Sequence, residues 1–184
     1  CPIPHNRFTF LYVGRIAKDK GLTEMVEAFT SLSGNAELII VGRLDNSDPI
    51  PQLTAKAIEQ HPNIHLMPAT TDVRPYYNQA DCLILPSYRE GFPNVVLEAG
   101  AMELPCIVTD INGSREIITN LQNGLIVPSH STNALHDAMT YMIKNPLEAH
   151  QMGLNARPVI INKFEQSFVR KCLYDYYNQI IHAL

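Results

Sequence analysis

Apolar positions along this chain follow two alternating rhythms. Short, nearly uninterrupted runs recur: Phe8-Thr9-Phe10-Leu11-Tyr12-Val13 closed by Gly14, Glu37-Leu38-Ile39-Ile40-Val41 closed by Gly42, Ile64 to Met67, Cys82 to Leu85, Cys106 to Thr109, and Gly124 to Val127. Runs of this length read as strands, and one that is apolar throughout, such as Cys82-Leu83-Ile84-Leu85, suits a parallel sheet covered on both faces. Between the runs the rhythm changes. Leu22, Met25, Val26, Phe29 and Leu32 recur at helical spacing. Further helices are predicted near residues 50–60, over Val73 to Gln79, after Pro93, and over Arg115 to Thr119. From Thr132 onward the chain is predicted helical, with breaks near Pro146 and Pro158. Strand and helix alternating this regularly predict an α/β fold over residues 1–184, a Rossmann-like parallel sheet with helices on both faces and right-handed crossovers. Ligands of such sheets lie outside the carboxyl ends of the strands, so candidate residues are sought in the loops that follow strands.

Composition narrows the function classes. Of the 184 residues, 46% are hydrophobic and 17% charged, enough apolar material for a full core. The net charge of −4, with no basic stripe, argues against nucleic acid as a partner. Cys1, Cys82, Cys106 and Cys172 are scattered with no CxxC pair, and Cys82 and Cys106 begin apolar strands. They read as core thiols, and a reducing cytoplasm is expected. No apolar run approaches the ~20 residues of a membrane span. The chain begins with Cys1 rather than Met, and a piece of a longer polypeptide is expected.

Two loops carry candidate chemistry. After the first strand comes Gly14-Arg15-Ile16-Ala17-Lys18-Asp19-Lys20-Gly21. A glycine turn, two cations and the start of a helix suit a phosphate group, although a solvated loop with ordinary surface charges reads equally well. Neither GxGxxG nor GxxxxGK[ST] is present, which counts against a dinucleotide enzyme or a P-loop ATPase. The second loop follows Leu85 and reads Pro86-Ser87-Tyr88-Arg89-Glu90-Gly91-Phe92-Pro93-Asn94-Val95-Val96-Leu97-Glu98. It predicts a tight turn and then a helix starting near Pro93, because proline suits the first helical position. Glu90 then lies on the turn beside the unpaired N–H groups of the helix, and Glu98 lies within its first turns. Paired carboxylates could also serve a glycosidase as acid and nucleophile, or Glu98 could merely decorate a helix surface.

Together with "LIIVGR", "NIHLMPATTDVRPYYNQADCLILPSYREGFPNVVLEAGAMELPCIVTDINGSREII" and "NGLIVP", the stretch "FLYVGRIAKDKGL" resembles the nucleotide-sugar-binding half of group 1 retaining GT-B glycosyltransferases. These pieces and the C-terminal helices span nearly all of the chain. The resemblance implies that Gly14, Arg15 and Lys20 hold a donor diphosphate. It implies that Glu90, the catalytic-site carboxylate, accepts hydrogen bonds from the donor sugar, and that Glu98 accepts from the ribose hydroxyls. Backbone groups around Gly91, Phe92, Asn94 and Val95 are expected to face the diphosphate and sugar. No metal and no cofactor are implied, since cations and helix N–H groups meet the leaving diphosphate.

A two-domain enzyme is implied, with this chain as its C-terminal donor domain. The acceptor glycan or lipid-linked saccharide would be held by a missing N-terminal domain. The closing helices, from about Phe164 to Leu184, would cross to that domain, and this chain alone would be inactive. Bacterial capsular, surface or lipopolysaccharide synthesis is the expected setting, in the cytoplasm and with peripheral association at the inner face of the membrane. A non-catalytic sugar-nucleotide sensor and a sugar-nucleotide epimerase of the same architecture are the alternatives.

Other residues carry less. Ser114 and Glu116 match a family loop near the donor, and a helix N-cap with a first-turn acid explains them equally. Met67 and Pro68 end the third strand where relatives grip the base through backbone groups, but many relatives have glycine at Pro68. His130 and His136 are read as surface residues without nearby carboxylates rather than metal ligands. Tyr76, Tyr77, Tyr174, Tyr176 and Tyr177 are expected to pack.

Overall fold

The computed structural model describes residues 7–182; the terminal Cys1 lies outside them. Six strands form one parallel sheet: β1 Phe8–Val13, β2 Ala36–Gly42, β3 Ile64–Pro68, β4 Cys82–Leu85, β5 Cys106–Thr109 and β6 Gly124–Val127. Their spatial order is β3-β2-β1-β4-β5-β6. The order reverses direction between β1 and β4, which is where open α/β sheets place their ligands. The helices are α1 Leu22–Thr30, α2 Gln52–Gln60, α3 Arg74–Gln79, α4 Asn94–Ala101, α5 Ser114–Ile117, α6 Thr132–Lys144, α7 Pro146–Lys163 and α8 Gln166–His182.

Alternation along β1 shows why both faces need cover. Phe10 and Tyr12 join Leu22, Met25, Phe29 and Met139 in one core, beneath α1 and α6. Leu11 joins Tyr77, Leu83, Val96, Ala99 and Ile160 in the other, beneath α3, α4 and α7. Successive side chains of a strand point to opposite faces, so an all-apolar strand feeds two cores. Every residue of β4 and β5 is buried, and the Cys82 and Cys106 thiols sit in that interior with burial pushing both pKa values up.

Several sequence expectations need correction. Pro93 occupies the N-cap of α4 rather than its first helical position. Pro158 does not break the helix: α7 runs unbroken from Pro146 to Lys163. Pro158 and Leu154, whose carbonyl it leaves without an N–H partner, are both exposed, so water can serve that carbonyl. Ala156 and Ile160, buried against α4 and Gly100, hold the helix together on either side. The short helix is Ser114–Ile117, with Gly113 rather than Ser114 as its cap. Ser114 Oγ is buried with no hydrogen-bond partner among the described residues. Tyr77 is buried as expected, but Tyr174, Tyr176 and Tyr177 are exposed. They lie on α8, which also exposes Phe168, Val169, Leu173, Ile180 and Ile181.

Candidate functional site

The loops at the carboxyl ends of β1, β2 and β4 converge. The chain leaves β1 through Gly14, and Tyr12 Oη donates to the carbonyl of Arg15 at 2.6 Å, which pins the turn. A single 3-10 turn, Lys18–Lys20, follows and ends on Gly21. Gly21 has φ +68°, and a Cβ there would fall 2.1 Å from the Pro86 carbonyl oxygen. Only glycine lets the start of α1 approach the strand-4 loop so closely. The same turn is tied on its other side, since Asp19 N donates to Asp48 Oδ2 at 2.9 Å and Tyr88 N donates to the Asp19 carbonyl at 2.9 Å.

This close approach brings Lys20 to Glu90. Lys20 Nζ lies 2.7 Å from Glu90 Oε1, and the two side chains are only 14% and 18% exposed. The cation and the carboxylate singled out from separate loops therefore form one partly buried ion pair. Arg15 pairs differently. Its guanidinium makes a close ion pair with Asp45, and its Nη2 lies 3.6 Å from Asp19 Oδ2. Asp45 is braced in turn by Ser47, whose N and Oγ donate to its Oδ1 at 2.9 and 2.6 Å. The Ser47 hydrogen bonds, reinforced by Arg15, hold the Asp45 carboxyl down to a pKa of about 2. Arg15, Lys18, Asp19, Ser47, Tyr88 and Arg89 line a cavity of about 380 Å³ beside this network.

Behind Glu90 the chain turns through Gly91 and Phe92 into α4. Pro93 provides no side-chain cap for that helix, and the first N–H groups of any helix lack an intrahelical acceptor. The N–H groups of Asn94 and Val95 stand in these positions, an end that attracts anions. Gly91 is exposed. The Phe92 ring sits 5.4 Å from that of Phe164, so its side chain leans on the end of α7 and only its backbone belongs to the turn.

Glu98 lies one turn further along α4. Its Oε2 accepts from Tyr77 Oη at 2.8 Å, and burial, then this hydrogen bond, push the Tyr77 phenol pKa up. The tyrosine hydroxyl therefore stays a donor and orients the carboxylate. Thr71, Val73, Arg74, Tyr77, Glu98 and Met102 are among the residues around a cavity of about 420 Å³ here. Glu90 and Glu98 thus have separate surroundings, one against a lysine and one against a phenol.

Three participants escaped the sequence reading: Asp45, Asp19 and the Tyr77 hydroxyl. Asp45 and Ser47 in "LDNSD" carry the local signature of an Asx turn, but nothing local ties them to Arg15. His130 also differs from expectation, because a carboxylate is near it. Its ring stacks on Tyr88 at 3.6 Å, and its Nδ1 lies 3.9 Å from Glu24 Oε1; Tyr88 Oη donates to the same Glu24 at 2.8 Å. His136 adjoins Asp137 at 3.2 Å. Among the described residues no three His, Cys, Asp or Glu side chains converge on a metal-sized site.

The family model described as "Glycosyl transferases group 1" matches residues 2–159. The capsular polysaccharide biosynthesis glycosyltransferase CapM of Staphylococcus aureus is 31% identical over 180 residues, covering 96% of this chain and 47% of that protein. The sucrose-phosphate synthase of Thermosynechococcus elongatus superposes with a TM-score of 0.87 at 26% identity, over 99% of this chain and 47% of that one. The C-terminal domain of a glycosyl transferase group 1 family protein from Francisella tularensis superposes with a TM-score of 0.76 at 21% identity, over 86% of this chain and 87% of that one. The chain spans about half the length of the first two proteins.

Proposed function

The chain belongs to the group 1 glycosyl transferases, and from that premise we propose that it binds the nucleoside-diphosphate sugar donor of a two-domain, retaining enzyme. The observation that carries this reading is the Lys20–Glu90 ion pair, which joins the β1 loop that bears Arg15 to the β4 loop that leads into the uncapped start of α4, where the sheet order reverses. Two guanidinium or ammonium groups and a helix end suit a diphosphate. A carboxylate beside them suits the hydroxyls of the sugar, and Glu98, held by Tyr77, suits the vicinal hydroxyls of the ribose.

In the reaction, the bond between the anomeric carbon and the diphosphate oxygen breaks, and the diphosphate leaves carrying the electron pair. Arg15, Lys20 and the α4 N–H groups stabilise that developing charge, the role of preorganised donors, without a metal. The acceptor hydroxyl attacks the face the diphosphate departs from, so configuration is retained, and its proton passes to the leaving phosphate oxygen. Glu90 binds and orients the sugar. The acceptor, a glycan or lipid-linked saccharide, is held by an N-terminal domain of the full-length enzyme, and this chain alone does not turn over. The exposed apolar residues of α8 pack against that domain. The resemblance to a capsular polysaccharide enzyme supports a role in bacterial surface polysaccharide synthesis, at the cytoplasmic side of a membrane. Among the described residues no helix is long and apolar enough to cross one.

Calorimetry tests the reading. UDP or GDP should bind the 184-residue chain, in EDTA as well as without it, and Arg15→Ala and Lys20→Ala should each weaken binding. One charge-assisted phosphate contact is worth about 1.5–3 kcal/mol, or roughly 10- to 150-fold. Unchanged affinity in both variants, or binding only with added Mg²⁺ or Mn²⁺, would overturn it.

A further inference from the structure

A further cavity, of about 290 Å³, opens beside Arg15 at the ends of β1 and β2. Val41 and Val73 give it apolar sides, Gly14 and Gly42 contribute bare backbone, and Arg43 and Thr70 add polar groups. The two glycines meet here, since a Cβ on Gly42 would fall 1.9 Å from the Gly14 carbonyl oxygen. Arg15 lines this cavity and also the one beside Asp19. Val73 lines it and also the cavity of Glu98. The space therefore adjoins both the cation assigned to the diphosphate and the carboxylate assigned to the ribose. The part of a nucleoside diphosphate still to be placed is its base, a flat ring suited to apolar sides.

The donors around the cavity decide which base. Pro68, the residue paired with Gly42 in the β2–β3 ladder, has no N–H to offer. Arg43 follows Gly42, and its carbonyl accepts from Ile16 N at 2.9 Å, which fixes its backbone. Its side chain is exposed and has no hydrogen-bond or ion-pair partner among the described residues. Arg15, the other cation on this cavity, pairs with Asp45 and Asp19 and is the one assigned above to the diphosphate. A guanidinium donates hydrogen bonds and accepts none. It complements a ring edge bearing an exocyclic oxygen, as in uracil O4 or guanine O6 with N7, and it opposes an amino group at the same place, as in cytosine or adenine.

We propose that Arg43 reads the base of the donor and selects an oxo-edged base, uracil or guanine, over an amino-edged one. The inference rests on the donor-site reading above, and one set of titrations separates the two. UDP, GDP, CDP and ADP are titrated into the 184-residue chain and into its Arg43→Ala and Arg43→Gln variants. At least one of UDP and GDP should bind the unaltered chain about tenfold or more tighter than both CDP and ADP, and the UDP and GDP arms identify the base. Arg43→Ala should weaken the favoured nucleotide to within about twofold of the others while CDP and ADP stay within about twofold of their original affinity. Arg43→Gln, whose amide can donate and accept, should likewise narrow the gap. Selective binding that survives both substitutions, or a preference for CDP or ADP, overturns the role of Arg43 and leaves the donor site standing. Failure of all four to bind overturns the donor site, and this inference with it.

Discussion

The Lys20–Glu90 pair should be energetically coupled, and its strength can be bounded before measurement. At 2.7 Å, two unit charges attract by about 6 kcal/mol at the effective dielectric of ~20 that suits protein sites. Desolvation cancels most of that. Exposed pairs retain ~0.2–1 kcal/mol, whereas removing one partner of a buried pair costs ~3–5 kcal/mol because a charge is left without its counterpart. With side chains 14% and 18% exposed, this pair lies between, and a coupling of about 2 kcal/mol is expected. A double-mutant cycle reads it. Urea unfolding of the native chain, Lys20→Met, Glu90→Gln and the double variant gives four stabilities. Lys20→Met should cost the most, since it strands a carboxylate, and the double variant should cost about 2 kcal/mol less than the sum of the singles. A binding consequence follows. Glu90→Gln leaves Lys20 without a competing carboxylate, so bare UDP or GDP should bind more tightly, while the full sugar nucleotide gains less or loses. Coupling below about 0.3 kcal/mol, within the additivity expected of independent sites, together with unaltered UDP and GDP affinity in Glu90→Gln, would refute the reasoning.

Two further outcomes are expected. Glu98→Gln should weaken the bare nucleotide and the sugar nucleotide alike, by roughly 10-fold or more, since both contain the ribose; calorimetry with the two ligands checks this, and an effect confined to the sugar nucleotide would contradict it. Asp45, depressed from 3.8 to about 2, favours the native state above the unfolded pKa and loses that contribution as pH falls from about 4 towards 2. Carboxyl-carbon NMR should show its titration near pH 2, moving upward in Ser47→Ala because the Ser47 donors are the largest cause.

Patterning alone made the sheet legible. The edges of β1, β4, β5 and β6 coincide with the mainly apolar runs read from the sequence, and the polar Thr9 and Thr109 within them are themselves buried. Local chemistry also picked out the loops that bear Arg15, Lys20 and Glu90, since glycine, proline and charge sit together there. Helix ends were less legible. Pro158 lies inside α7 because packing on α4 outweighs a local breaker whose lost hydrogen bond faces water. The tyrosines of α8 have helical spacing, but spacing does not say whether a neighbouring surface is present to cover them.

The sequence by itself determined the strands, the alternation that makes a parallel sheet, and which side chains were available for chemistry. Only the tertiary structure decided which of them meet. Lys20 reaches Glu90 across 70 residues, Arg15 reaches Asp45 across 30, and Tyr77 reaches Glu98 across 21. Hydrophobic periodicity specifies the face on which a residue lies. Contacts at such separations depend on strand order, and that order is settled by how the two cores pack on either side of β1.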